Sequence, residues 1–263
     1  MRIVVIGASG RIGEKLVREL RRADQSVVEA SPTFGVDAVT GQGLEQALDQ
    51  AQVVVDVSNS PRLTGEAPLR FFDAAGRRLA AAAGAAGVQH HIALSIVGTD
   101  RLLASPYFQA KKRQEDLIEG AGLPYSILRS TQFFEFIAGV VQDGSSGDVV
   151  VPPVQVQPLS VVDVVAALAD LATGAPLNDT VELAGPDQFR LPDLTADVLT
   201  AYEDRRRIIE DPCEPYFGAI LEPTSLLPTV GARIAPLRFE DWLRESLQPD
   251  AAPFPARRLG VLS

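Results

Sequence analysis

Hydrophobic positions come in short unbroken runs separated by longer amphipathic stretches, and this alternation predicts the fold. Ile3-Val4-Val5-Ile6 is apolar at every position, as a parallel strand covered on both faces requires. The stretch Glu14-Lys15-Leu16-Val17-Arg18-Glu19-Leu20 then places its apolar residues at helical spacing. The pattern predicts a second strand over 26–30, ending at Ser31-Pro32, and a short third strand over 36–39. A helix over 44–50 leads to a fourth strand, 53–57, that ends at Ser58-Asn59-Ser60-Pro61. An alanine-rich helix from about 68 to 86, a fifth strand (91–96), a helix (106–120) and a sixth strand (125–129) follow. Strands alternating with helices imply right-handed crossovers and a parallel sheet.

Past Gln132 the texture changes. Phe133-Phe134-Glu135-Phe136 opens an aromatic-rich segment, 149–158 is rich in Val and Pro, and 163–172 returns to a clear helix. A late strand is predicted over 180–184, then short helices separated by prolines, a last helix over 239–247 and a Pro-rich tail. There are no internal repeats. The expected architecture is one α/β domain spanning 1–263. Its doubly wound parallel sheet is built from about 1–132, and a small C-terminal lobe, drawn mainly from 133–263, lies over the carboxyl edge of that sheet.

The turn after the first strand carries three glycines in the spacing GxxGxxG: Gly7, Gly10 and Gly13. At a strand end and a helix start, such glycines permit a tight turn, a close approach to a pyrophosphate and close helix–strand packing. The helix N-terminus adds free N–H groups and a positive dipole end. A Rossmann-type dinucleotide site is therefore expected, with Gly7, Ser9, Gly10, Arg11, Ile12 and Gly13 as candidate contacts.

Composition narrows the partners. The formal charge of −10 and pI near 4.8 disfavour binding to a phosphate backbone, so no nucleic acid is expected. A single cysteine, Cys213, rules out an intramolecular disulfide, and the adjacent His90 and His91 do not converge on an ion, so no metal is expected. No apolar run reaches the roughly 18–20 residues of a membrane span. The chain opens directly on a core strand, so a cytoplasmic protein acting on a small molecule is expected, with its oligomeric state open.

Ser95, Tyr107 and Lys111 form the second constellation. Tyr107 and Lys111 are four apart on one face of a helix that Ser105 can cap, with Pro106 at its first position. Ser95 lies near the carboxyl edge of the fifth strand, where ligands bind in open α/β sheets. The chemistry such a trio suits is carbonyl reduction. Tyr107 gives the proton, an adjacent Lys111 ammonium lowers its pKa and grips the cofactor ribose, and Ser95 orients the carbonyl. Taken without the glycine turn and Ser95, Tyr107 reads as helix packing and Lys111 as paired to Glu115; with them, the catalytic reading leads.

These residues, with Leu94-Ser95-Ile96-Val97-Gly98-Thr99-Asp100 and Leu128-Arg129-Ser130-Thr131-Gln132-Phe133-Phe134-Glu135, resemble the short-chain dehydrogenase/reductase superfamily. More narrowly they are similar to its atypical, NmrA-like NAD(P)H-binding branch. The resemblance implies reductases and also non-catalytic redox sensors. The second strand ends Ala30-Ser31-Pro32-Thr33 with no acid at its tip, which favours NADP(H) over NAD(H). On the resemblance, Arg11 would meet a 2′-phosphate. Ser31, Ser58, Asn59 and Ser60 are expected at the cofactor, although Ser58-Asn59-Ser60 also suits a plain turn. Gln132, Phe133 and Phe134 are expected to edge the nicotinamide and substrate, or to enter the lobe core. The leading expectation is an NADPH-dependent reductase of a ketone, quinone or conjugated carbonyl. The alternatives are an NADP(H)-binding sensor and, with nothing in the sequence to select it, isomerase or lyase chemistry.

Overall fold

The computed structural model describes residues 1–142 and 147–248. The first strand, β1 (Arg2–Ile6), is buried from Ile3 onward and runs through the glycine turn into α1 (Arg11–Arg22). Then come β2 (Ser26–Ala30), a short α2 (Leu44–Leu48), β3 (Val53–Asp56), α3 (Ala67–Ala86), β4 (His90–Ile96), α4 (Pro106–Glu119) and β5 (Tyr125–Ser130). After β5 lie α5 (Phe134–Gln142), β6 (Val149–Val151), β7 (Gln155–Val156), α6 (Val161–Thr173) and β8 (Asp179–Ala184). The chain continues with β9 (Phe189–Arg190), α7 (Leu191–Ala201), β10 (Ile208–Glu210), β11 (Arg233–Ile234) and α8 (Phe239–Ser246).

Seven strands form one parallel sheet in the order β11-β8-β5-β4-β3-β1-β2. Strand alternation feeds both faces. Ile3, Val5, Val55, Ile92 and Leu128 pack with Leu16 and Leu20 of α1 and Val164 and Leu168 of α6. Val4, Ile6 and Val54 meet Leu79 and Ala83 of α3 on the other face, and Ala93 and Ile127 meet Ile118 of α4. Ile6 is in register with both Ala30 and Asp56, so the tips of β1, β2 and β3 end together around the point where the strand order reverses.

The segment 36–39 is not a strand. Val36 is buried, but the Asp37 carboxylate accepts the N–H groups of Val39 at 2.7 Å and Thr40 at 3.3 Å. That side-chain turn takes the donors a ladder would need. As a result β2 is the edge of the sheet, and the expected fourth, fifth and sixth strands are β3, β4 and β5.

The residues beyond 132 do two jobs. The helix α6 and strands β8 and β11 complete the sheet layers. The short pairs β6–β10 and β7–β9 join α5, α7 and α8 around a second core of Phe134, Val156, Leu194, Val198, Phe239 and Trp242. This core also takes in Tyr107 and Phe108, so the first turn of α4 faces the lobe. The Pro-rich tail lies outside the described residues.

Candidate active site

Steric closeness shapes the turn after β1. Gly7 has φ +84°, and a Cβ there would lie 2.8 Å from both Cα and N of Ser58. A Cβ on Gly13 would lie 2.2 Å from the Gly7 carbonyl oxygen. Gly10 donates its N–H to that oxygen at 2.9 Å and stands as the N-cap of α1 with no side-chain cap, leaving the first-turn N–H groups available. Ser9, Gly10 and Arg11 are exposed on the turn, and Ile12 is half-buried. The hydroxyls of Ser31, after β2, and Ser58, after β3, are buried without a hydrogen-bond partner. A backbone cradle that any Cβ would fill, an uncapped helix start and two orphaned hydroxyls at neighbouring strand tips fit a pyrophosphate flanked by ribose. The next two residues have other partners. Ser60 donates to the Arg62 carbonyl at 2.6 Å, closing a local turn, and the Asn59 side chain leads to Tyr107.

Ser105 caps α4, as its sequence implies: its Oγ accepts the Phe108 N–H at 3.4 Å, with Pro106 at the first position. Tyr107 and Lys111 share the buried face of this helix, but their polar ends part. The Tyr107 hydroxyl donates to Asn59 Oδ1 at 3.1 Å. Lys111 Nζ donates to the Leu94 carbonyl at 2.8 Å and to Gln114 Oε1, and lies 4.6 Å from the centre of the Phe72 ring. Gln114 in turn donates to Asp56 Oδ2 at 2.8 Å, and Asp56 Oδ1 accepts the Ser58 N–H at 2.9 Å. Burial pushes the Tyr107 pKa up to about 12, against the opposing bond from Asn59. Burial pulls Lys111 down to about 8, opposed by the charges of Asp56 and Glu115. The expected lowering of the phenol by a neighbouring ammonium is therefore replaced by a rise, because desolvation governs a hydroxyl whose polar partner is neutral.

Ser95 is placed elsewhere. Its hydroxyl donates to Glu115 Oε1 at 2.5 Å, and Glu115 is ion-paired with Arg129 at 2.7 Å. Gln132 is buried with no well-formed hydrogen bond to its carboxamide; its polar neighbour is the Tyr216 hydroxyl, whose contact with it opposes the rise that burial gives the phenol. Phe133 packs toward the α1–α6 face, and Phe134 is enclosed by Phe239 and Trp242 with ring centres 5.4 and 5.3 Å away. From the lobe, Phe217 packs on Tyr107 with the ring centres 5.1 Å apart and the planes tilted by 35°. His90 donates to or accepts from Ser126 at 2.8 Å, and His91 is fully buried, with both held well below the usual histidine pKa by desolvation. Sequence reasoning missed Asp56, Gln114, Tyr216 and Phe217. Asp56 had a signal, as the single acid closing an otherwise apolar strand.

Cradle, switch point and strand order together define a dinucleotide-binding protein of the Rossmann type. A family model described as NAD(P)H-binding matches residues 7–171, and the chain belongs to that family. Two curated relatives are similar to it. The photosystem II assembly factor Ycf39 of Cyanophora paradoxa is 29% identical over 154 residues, 53% of this chain and 48% of that protein. The (4-alkanoyl-5-oxo-2,5-dihydrofuran-3-yl)methyl phosphate reductase of Streptomyces griseus subsp. griseus is 29% identical over 147 residues, 50% of this chain and 48% of that one. The chain thus spans about half the length of the curated relatives it matches. Among solved structures, MoeE5 in complex with UDP-glucuronic acid and NAD superposes with TM-score 0.73 at 19% identity, covering 93% of this chain and 97% of that one. An NAD-bound short-chain dehydrogenase/reductase protein from Agrobacterium tumefaciens gives 0.71 at 16%, covering 94% and 96%. dTDP-4-dehydrorhamnose reductase from Bacillus anthracis, with NADP, gives 0.68 at 13%, covering 90% of each. At these identities the structures show a shared fold. Among the described residues no helix is long and apolar enough to cross a membrane, and no group of three or more His, Cys, Asp or Glu could hold a metal ion.

Proposed function

We propose that the protein is an NADPH-dependent reductase of a small-molecule ketone, quinone or conjugated carbonyl. One observation carries the reading: Ser58 lies against Gly7 of the cradle, and the next residue, Asn59, holds the Tyr107 hydroxyl. An O–H donor is thereby set one residue from the dinucleotide site. The name of the Streptomyces relative, a reductase, is in keeping with this.

The first-turn N–H groups of α1 would take the pyrophosphate, and Ser31 and Ser58 the ribose hydroxyls. When bound, the reduced nicotinamide supplies a hydride, two electrons with one hydrogen nucleus, to the carbonyl carbon. The C=O π bond breaks, Tyr107 gives its proton to the oxygen to complete the alcohol, and the phenol is reprotonated from solvent. Asn59 Oδ1 accepts that O–H before substrate is bound, and the O–H turns from Asn59 to the carbonyl oxygen to give up its proton. Lys111 and Ser95 act as positioning residues: Lys111 ties α4 to the tips of β3 and β4 through Gln114, Asp56 and the Leu94 carbonyl, and Ser95 ties α4 to β4 through Glu115.

Preference for NADPH follows from what surrounds the β2 tip. Glu29, the acid within β2, is held by Arg21 at 2.6 Å, so it is engaged on the α1 side. Arg11 opens α1 beside the cradle, and Arg62 lies in the wall of a groove of about 570 Å³ that runs past Ser60. Titrating NADPH and NADH by fluorescence should show tighter NADPH binding, with Arg11→Ala weakening NADPH more than NADH. Equal or inverted affinities would remove the 2′-phosphate role. NADPH oxidation is expected with at least one class among quinones, diketones and aromatic ketones. The second reading, a dinucleotide-binding regulator, draws on the seating of Ser95 away from Tyr107. Tight binding with silence across the panel would favour it.

A further inference from the structure

The segment between β10 and β11 reaches across to the first turn of α4 with a two-residue hairpin. Tyr216 and Ala219 exchange backbone hydrogen bonds, N–H to O at 2.8 and 3.1 Å, and both residues between them are left-handed: Phe217 at φ +49° and Gly218 at +87°. A turn of this type favours Asn-Gly, because a bulky side chain is disfavoured at positive φ. A phenylalanine held there is poorly explained by the turn alone. Its ring lies 5.1 Å from Tyr107 at an interplanar angle of 35°, and 6.0 Å from Phe136 at 34°. The hairpin is seated by the same hydroxyl that caps α4, since Ser105 Oγ donates to the Phe217 carbonyl at 2.6 Å. Its other aromatic, Tyr216, brings its hydroxyl against Gln132, whose buried carboxamide has no other polar contact and keeps hydrogen-bonding capacity beyond that one. A buried amide in that condition has room for a further hydrogen bond, which a polar group of a ligand would supply.

We infer that the Tyr216–Ala219 hairpin selects the substrate: Phe217 and Tyr107 form an aromatic wall and Gln132 with Tyr216 a polar end, so that the site takes a planar ring carbonyl compound. The inference rests on the reductase reading and narrows its substrate class. Flat conjugated rings gain from offset or tilted contact with such a wall, which acyclic carbonyls of the same reactivity lack. The carbonyl oxygen is reached by Tyr107, and a second ring oxygen or N–H meets the amide of Gln132.

Isatin and butane-2,3-dione separate the two classes, both being 1,2-dicarbonyls, one planar and cyclic, the other open. Calorimetry of each against the NADP⁺ complex gives a readout besides turnover. The parent should bind isatin at least about tenfold more tightly than butane-2,3-dione, the order of one or two aromatic contacts. Phe217→Asn keeps a residue that tolerates the left-handed turn while removing the ring. It should raise the isatin Kd and KM by about tenfold, clearly more than those of butane-2,3-dione, and leave NADPH affinity unchanged. Phe217→Tyr should restore the parent values. Equal effects on both compounds, or no preference in the parent, would overturn the inference while leaving the reductase reading in place. Isatin binding that depends on Phe217, without NADPH oxidation, would uphold the ring site and remove the reductase reading. Where Phe217→Asn fails to fold, Phe217→Leu, apolar but without a ring, should reduce the preference for isatin in the same way, and an unchanged preference would overturn the inference.

Discussion

At the scale of residues, Tyr107 and Lys111 show what spacing can and cannot tell. Four residues apart on a helix they must share a face, and they do, both buried. The direction of each polar end depends on partners from β3 and β4 far along the chain, and those partners are not written in the spacing. The glycine cradle was legible because the glycine spacing at a strand end is itself the signal: Gly13 leaves no room for a Cβ against the Gly7 carbonyl and Ala8, and Gly7 leaves none against Ser58. Ser95, by contrast, was read from its place on the strand, and the competing acceptor, Glu115 one turn beyond Lys111, claimed it. Lys111 gives a stability prediction. Its folded pKa of about 8 lies below the 10.5 of the free side chain. Between those values the unfolded chain holds more protons, so the Lys111 contribution to stability rises with pH across that window and is lost as pH falls toward 8. The span of that change is about 3 kcal/mol, at about 1.4 kcal/mol per unit. Urea unfolding of the parent and Lys111→Met at pH 7.5 and 9.5 should show this extra rise in the parent only. Parallel pH dependence in the two proteins would show that the ammonium is not desolvated.

Among the elements, the strands were readable because parallel strands buried on both faces are apolar throughout, as β1 and β3 are. The error fell on 36–39, where four residues with two valines satisfy a strand pattern but Asp37 turns the chain instead. Short apolar runs are where periodicity decides least. The start of α4 was legible to the residue, Ser105 then Pro106, since capping is a local chemistry. The second task of Ser105, donating to Phe217 across 112 positions of sequence, was not. Ser105→Ala should therefore cost more than a simple cap. A lost cap is worth about 1 kcal/mol, roughly 2–4 °C in a chain of this size, and the freed hairpin should add faster amide exchange confined to residues 216–219. Exchange unchanged in that segment would mean the hairpin is seated without the serine.

Over the whole molecule, the boundary drawn near residue 132 marks a change of texture more than a division of labour. The chain beyond it returns α6, β8 and β11 to the sheet and leaves α5, α7, α8 and the short strand pairs to cover its carboxyl edge. The two parts are tied by Glu135, whose carboxylate accepts the N–H of Val161 at the start of α6 and the indole N–H of Trp242 on α8. The lobe's aromatic residues beside Tyr107 come from position 216 onward, so besides Tyr107 itself only Gln132 of the proposed substrate side was suggested by the sequence, whereas the proposed dinucleotide side sits within the first sixty residues. The central claim joins the two halves: hydride from the cradle side, proton from Tyr107 under the lobe. It is tested most directly by single-turnover oxidation of bound NADPH with isatin in the parent and in Tyr107→Phe, at saturating concentrations of both. The account predicts that the step slows about 10²–10⁴-fold, the range of general acid catalysis, while NADPH affinity stays within about twofold. A Tyr107→Phe protein that oxidises NADPH as fast as the parent would contradict it.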